Sequence, residues 1–463
     1  MNPDPPSILP PLDPDFQPAI LWRRAFDEAV EASGEATPCH IAIEQADGSV
    51  FHHETRVFPS THPDAGSNFR HLERLVKFLL WSQGGCRVHI SAPIGLAAQL
   101  QAHFDETATG QFDSNLIGQK VYGQPIEIIP TREVPPAQSA AQPMGRHLNG
   151  CRIGFDLGGS DRKVAAVIDG EVVFSEETVW DPYHKADPQY HLDGILDSLR
   201  TAAGHLPQVD AIGGSAAGVY VNNEVKVASL FRGIPEDLFE SRVRHIFREV
   251  GKTMGDLPII VVNDGEVTAL AGSMSLGKNS VLGIAMGTSL ASGYVNPAGN
   301  ITTWLNELAF APVDYRPDAP PDEWSGDLGC GVQYFSQQAV ARLLEPAGIN
   351  LPAGLDLPEK LVQVQDLMEQ EDSRARKIYE TLGVCLGYSL AHYADFYAVE
   401  NVLLLGRVTS GRGGDILQTQ ASAVMKSEFP ALAEALAFHI PDEKEKRHGQ
   451  AIAAASLPVI GKT

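Results

Sequence analysis

Residues 151–179 read CRIGFDLGGSDRKVAAVIDGEVVFSEETV. An apolar run ends at Asp156, a Gly158-Gly159-Ser160 turn follows, and Asp169-Gly170 separates two further extended runs. The pattern predicts strand, tight turn, strand, turn, strand. Glycines at 158 and 159 let backbone N–H groups converge on an anion without side-chain obstruction, and Ser160 adds a hydroxyl. Asp156, at the strand end, is placed to hold Mg²⁺ through water. By itself the stretch also reads as a plain hairpin turn with glycine at positive φ.

Helical patterns and buried strands alternate downstream: VDAIGGSAAG (209–218), LPIIVVND (257–264), SVLGIAMG (280–287) and NVLLLG (401–406). Each apolar run stops at Gly, Ser or Asp, and in open α/β sheets ligands sit where strands end. Asn263-Asp264 follows PIIVV; a carboxylate there can take a hydroxyl proton while the amide fixes a neighbouring hydroxyl. The same pair also fits a helix cap before EVTALAG. Gly283–Ser289 suits a second phosphate turn, through Gly287 and Thr288, or a routine strand-to-strand turn. Gly406, followed by Arg407, suits a turn that admits an adenine or ribose, with Arg407 either at the base or simply at the surface.

Taken in order, DLGGSDRK (156–163), NDGEVTALAG (263–272), GIAMGTS (283–289) and LLLGRVTSG (403–411) resemble the phosphate, catalytic, second phosphate and adenosine segments of the ROK family of bacterial sugar kinases, related repressors and uncharacterised frames. GGSAAGVYVNNEVKVASL (213–230), NELAFAPVDY (306–315) and SGDLGCGVQYFSQQAV (325–340) extend the resemblance over roughly residues 150–460. It implies an α/β, two-lobed actin/hexokinase-like (ribonuclease-H-like) fold with a cleft between the lobes and an additional small N-terminal α/β domain. It also implies an ATP- and Mg²⁺-dependent phosphotransferase acting on a sugar or polyol. Asp264 would be the general base, with Asn263 and Glu307 on other sugar hydroxyls and Asp156 orienting Mg²⁺. Gly158, Gly159, Ser160, Gly287 and Thr288 would approach the phosphates, and Gly406 and Arg407 would flank the adenosine.

The chain departs from the family where zinc would be bound by one His and three Cys. Phe310 stands at the His position, Glu323 and Ser325 at two Cys positions, and only Cys330 remains. One thiolate cannot build a tetrahedral site, so no structural zinc is expected there. Val332 replaces a second sugar-binding Glu, and Arg407 a Gly. These losses keep open the alternative of a catalytically degraded sugar or nucleotide sensor.

With 58 acidic and 35 basic residues the formal charge is −23. Such a surface repels phosphate backbones, which argues against a nucleic-acid partner and against a DNA-binding repressor. Five scattered cysteines without a CxxC pair suit a reducing compartment. With neither a signal-peptide pattern nor an 18-residue apolar run, the expected location is the cytoplasm, away from membranes. Residues 1–18 read as a poorly ordered, Pro-rich lead-in, and VPPAQSAAQPMG (134–145) as a linker. The division expected is 1–148 as an N-terminal α/β extension, 149–265 as the small lobe and 266–463 as the large lobe, with a C-terminal helix free to return to the small lobe. The extension opens with a hairpin like that of 151–179, hinting at a diverged copy of the same half-fold. It is a candidate to cover the cleft or to build a homodimer contact.

Overall fold

The computed structural model describes residues 5–45, 47–139, 143–440 and 443–460. The chain forms two compact units. One comprises residues 1–141, 284–292 and 304–440, the other 142–283, 293–303 and 441–463.

The first unit begins with the helix Ala19–Ala32, whose Ile20, Trp22, Phe26 and Val30 face inward at helical spacing. A hairpin follows, β1 (Thr37–Glu44) and β2 (Val50–Val57), turning at Asp47-Gly48. The helix Ser67–Gln83 ends where Gly84 takes φ 80°. It leads to β3 (Arg87–Ser91), and β4 (Glu127–Pro130) completes a sheet of order β2-β1-β3-β4. Here β3 runs antiparallel to β1. The unit is therefore not a copy of the half-fold opened by residue 151: with one strand fewer before the crossover helix, the returning strand points the other way.

In the second unit, β5 (Cys151–Leu157), β6 (Asp161–Ile168) and β7 (Glu171–Val179) form the antiparallel meander read from the sequence. The helix Pro188–Ala203 crosses to β8 (Ala211–Ala216), parallel to β5. A small hairpin, β9 (Val219–Val221) and β10 (Glu224–Val227), precedes β11 (Ile259–Asn263), parallel to β8. The sheet order is β11-β8-β5-β6-β7. One core joins Ile153, Phe155, Ile195, Leu199, Ile212, Phe247 and Val261. The helix Asp264–Leu276 and the C-terminal helix Glu443–Ala455 pack on each other, and the latter on β5 and β8.

A further sheet has the order β13-β12-β14-β15, from β12 (Val281–Met286), β13 (Leu290–Val295), β14 (Asn401–Leu405) and β15 (Ala437–His439). The largely buried helix Ser373–Ala394 packs on the helices Arg412–Glu428 and Ala19–Ala32.

Two boundaries differ from the sequence reading. Residues 1–141 share a unit with 304–440, because the N-terminal helices complete their apolar faces there. Phe78 packs on His392 and Phe396 at 4.6 and 4.4 Å, and Arg23 reaches Asp395 at 3.0 Å. The second unit runs past residue 265 to 283, because the helix that starts at Asp264 packs against that unit's own elements. The described part of the Pro-rich lead-in packs against the rest of its unit rather than standing free. The Leu12 N–H donates to the Thr381 hydroxyl, while buried Asp13 pairs with Arg316 at 2.7 Å and Arg342 at 2.8 Å. Beyond two internal turns, Asp13 N–H to Pro10 O and Phe16 N–H to Asp13 O, this Pro-rich stretch satisfies polar groups on its neighbours.

Candidate active site

In the second unit three parallel strands end in register, with Leu157 opposite Ala216 and Ala216 opposite Asn263. This row brings the phosphate turn and the Asn263-Asp264 pair to the same end of the sheet. The turn is tight: the Gly158 N–H donates to the Asp161 carbonyl at 2.9 Å. Trp180 fastens it, its indole N–H donating to Gly158 O at 2.8 Å and its backbone N–H to Ser160 O at 3.0 Å. Neither glycine takes the left-handed conformation, so the hairpin does not need them for positive φ. Gly159 is needed for space, since a Cβ there would run into the Tyr183 ring. The Arg232 guanidinium lies 3.9 Å from the centre of that ring.

Asn263 is the helix cap. Its Oδ1 accepts from the Gly265 N–H at 2.7 Å, and its Nδ2 donates to Gly218 O at 2.8 Å. Asp264 is thus the first helical residue rather than the cap, and it is half-buried. Burial raises its carboxyl above the usual 3.8, and the charge of Asp156 raises it further. Asp156 is raised as well, by burial and by Asp161, against the pull of Lys163, whose Nζ lies 3.9 Å away. Lys163 sits closer to Asp161, at 3.0 Å. Tyr220 adjoins Asp264, and its phenol is pushed up by burial and by that charge. Two carboxyls biased toward accepting protons at strand ends form an arrangement suited to general-base chemistry.

In the first unit the turns at Gly287 and Gly406 are adjacent. Gly406 has φ 91°, and a Cβ there would strike the Met286 backbone at the end of β12. The Gly287 N–H donates to Ser289 O, and Gly287 O accepts from the Gln337 N–H, both at 2.9 Å. Thr288 is exposed, with its hydroxyl 3.5 Å from the Gln337 amide oxygen. Arg407 is exposed at the start of a short 3₁₀ turn, its carbonyl accepting from Gln365 at 2.8 Å.

Glu307 is half-buried in a segment held by the N-terminal part of the chain. Asn306 and Glu307 N–H groups donate to the carbonyls of Ser82 and Trp81, each at 2.9 Å. Phe310 lies 4.4 Å from the Trp81 ring and 5.6 Å from Phe112. Val332 is buried. The residues at the family's zinc positions do not fit that ion. Cys330 is fully buried with its thiol pushed up to about 12, and the Ser325 hydroxyl donates to Asp322 at 2.7 Å. A buried ionic network lies in the same loop instead. Lys77 Nζ is 2.9 Å from Asp113 and 2.7 Å from Asp327, and Arg74 is 3.0 Å from Asp327. The Trp81 indole N–H donates to Asp113 at 3.0 Å. Lys77 and Asp113 are both 0 % exposed. Burial opposes both charges in the Lys77–Asp327 pair, but the partners win: Lys77 is held above and Asp327 well below its usual range.

Sequence reasoning missed Tyr183 and Arg232 behind the first turn, Tyr220 beside Asp264, and the Lys77 network. Tyr220 lies inside a segment already singled out, at residues 213–230. The others carry no local motif.

No model of a known protein family matches the sequence, and no curated protein matches it. Solved structures do match. The ROK hexokinase from Thermus thermophilus is 17% identical with a TM-score of 0.52, covering 66% of this chain and 97% of that one. A ROK family transcriptional regulator, homolog of the E. coli MLC protein, is 18% identical with a TM-score of 0.50, covering 83% and 96%. The chain therefore has the two-lobed actin/hexokinase-like fold found in ROK proteins.

Proposed function

We propose that the chain is a ROK-type, ATP-dependent phosphotransferase that moves the terminal phosphoryl group of ATP to a hydroxyl of a sugar or polyol. The observation that carries this reading is Asp264, a half-buried carboxyl at a strand end with its pKa raised beside Asp156. Asp264 takes the acceptor proton as the acceptor oxygen bonds to phosphorus and the bond to the ADP oxygen breaks. Glu307 is assigned to another acceptor hydroxyl. Asn263 is spent as cap and tether, so its part is to hold Asp264 in place and, through its residual lone pair, to meet the acceptor. Gly158, Gly159, Ser160, Gly287 and Thr288 line the phosphates, and Gly406 and Arg407 the adenosine. Asp156 would hold Mg²⁺ through water, and that ion would neutralise charge developing on the phosphates.

The five cysteines are free and buried, and no helix among the described residues is long and apolar enough to cross a membrane. The cytoplasm is accordingly the location proposed. The second reading, a sugar or nucleotide sensor without turnover, is favoured by Phe310 packed on Trp81 and by buried Val332. A coupled assay of ADP release across a panel of sugars and polyols decides between them. Turnover on one acceptor that disappears in Asp264→Asn supports the kinase. Sugar or ATP binding without turnover on any acceptor supports the sensor.

A further inference from the structure

We propose that His40, His52 and Glu54, on β1 and β2, form a binding site for a divalent transition-metal ion of the zinc type, using residues the phosphotransfer does not need. In the antiparallel register His40 stands opposite Glu54 and Ala42 opposite His52. Side chains two apart on a strand share a face, so all three ligands lie on one face of the sheet. His53 points to the other face, against Phe396 at 5.2 Å, where burial holds it neutral with a pKa lowered to about 4. The strand thus carries one core histidine and one on the opposite face, side by side.

The geometry is close to what an ion requires. One ligand atom from each of the three residues lies within 4.8 Å of the others. The His40 Nδ1 to Glu54 Oε1 distance is 3.7 Å, and the two imidazoles are parallel at 5.9 Å. Ligands about 2.0–2.2 Å from a shared tetrahedral ion sit roughly 3.3–3.6 Å apart, a small side-chain adjustment away. A second, independent observation points to a ligand: His52 Nε2 is buried and has no hydrogen-bond partner among the described residues. Leaving such an atom unpaired costs about 1–3 kcal/mol, which coordination of its lone pair would remove. The other polar groups of this face are engaged elsewhere. His89 and Arg87 both bond Glu44, at 2.7 and 2.8 Å, and Arg56 reaches Glu31 at 3.3 Å.

Two imidazoles and one carboxylate suit Zn²⁺, Co²⁺ or Ni²⁺, with remaining positions open to water, and do not suit Mg²⁺ or Ca²⁺, which favour all-oxygen sets. Because β2 is an edge strand, the ion would clamp it to β1.

The test is a Co²⁺ titration of the untagged, chelator-stripped full chain, followed by visible absorption, with Zn²⁺ as competitor. One equivalent should bind. His40→Ala and His52→Ala should each weaken binding by about 100-fold or more, since even outer-shell changes cost 10–100-fold. Glu54→Gln should weaken it less, while His89→Ala and Cys330→Ser should leave it unchanged. Zn²⁺ should raise the melting temperature of the wild type and not of His52→Ala. Absence of Co²⁺ absorption in the wild type would overturn the site. So would binding that survives the His40→Ala/His52→Ala double variant, or an equal loss in His89→Ala.

Discussion

The strand ends of the second unit and the helix Ser67–Gln83 of the first both hold ionic groups out of water, with opposite outcomes. Lys77 and Arg74 are matched by Asp113, Asp327 and Glu73 at 2.5–3.1 Å. Asp264 is raised by burial and by the charge of Asp156, Asp156 is raised by burial and by Asp161, and Lys163 lies closer to Asp161 than to Asp156. A buried ion pair with good geometry can be explained by structure alone. Two like charges drawn together cost stability and need another reason, and function is the usual one. The loop that carries Cys330 is tied to the helix Ser67–Gln83 by the buried pairs of Asp327 with Lys77 and Arg74.

Replacing Asp264 by Asn should have the largest effect. Turnover should fall by about 10²–10⁴-fold, because the amide cannot take the proton. The helix should persist, since Asn263 is its cap, and the unfolding midpoint should rise as the like-charge contact disappears. Undiminished turnover, or a lowered midpoint, breaks the contrast.

Next in size is Lys77→Met, which leaves buried Asp113 without its cation and Asp327 with Arg74 alone. A loss of about 3–5 kcal/mol is expected in denaturant unfolding. Adding Asp113→Leu to Lys77→Met should restore part of it, as a matched apolar replacement does. A single variant within about 0.5 kcal/mol of wild type would show that the network is not a structural tie.

Gly406→Ala should be milder, about 1–3 kcal/mol, from a strained φ and contact with Met286. ATP affinity should fall with it if that turn holds the adenosine, as isothermal titration of the variant would show.

The smallest effect is in pH dependence, and the two regions should differ in sign. Asp264 has a raised pKa, so its contribution to stability is present below the usual 3.8 and is lost as pH rises through the folded value. The advantage of Asp264→Asn over wild type should therefore shrink on acidification. Asp327 is depressed, so its contribution is present above 3.8 and is lost as pH falls toward its folded value. The deficit of Asp327→Asn should likewise shrink at low pH, but from the destabilised side. Midpoints of both variants and wild type between pH 7 and the lowest pH at which all three fold would check this.

Much of the second unit was legible because its signals are local. Gly158-Gly159-Ser160 turns a chain whatever surrounds it, and PIIVV followed by Asn263-Asp264 marks a strand end and a helix start within seven residues. Even there the plain-hairpin alternative, glycine at positive φ, does not hold: Gly159 leaves room for Tyr183, 24 residues on, without a left-handed backbone. The N-terminal elements were legible one by one, as the hairpin at Asp47-Gly48 and the helix stop at Gly84-Gly85 show. Their membership in the first unit was not, because an amphipathic helix reveals that it has a buried face but not which residues bury it.

The sequence by itself determined the order of turns that end strands, and with it the fold class of residues 150–460, the candidate base at Asp264 and the single thiol, Cys330, between residues 310 and 332. Those features depend on residue type and near-neighbour spacing, which persist in any conformation of the chain. Only the tertiary structure decided that Asp156 biases Asp264 from across β8, that Lys77 meets Asp327 across 250 positions, and that His40, His52 and Glu54 share a face on which His53 is missing. Such pairings follow from strand order, register and long-range burial, where the free energy of a side chain depends on neighbours that its own stretch of sequence does not contain.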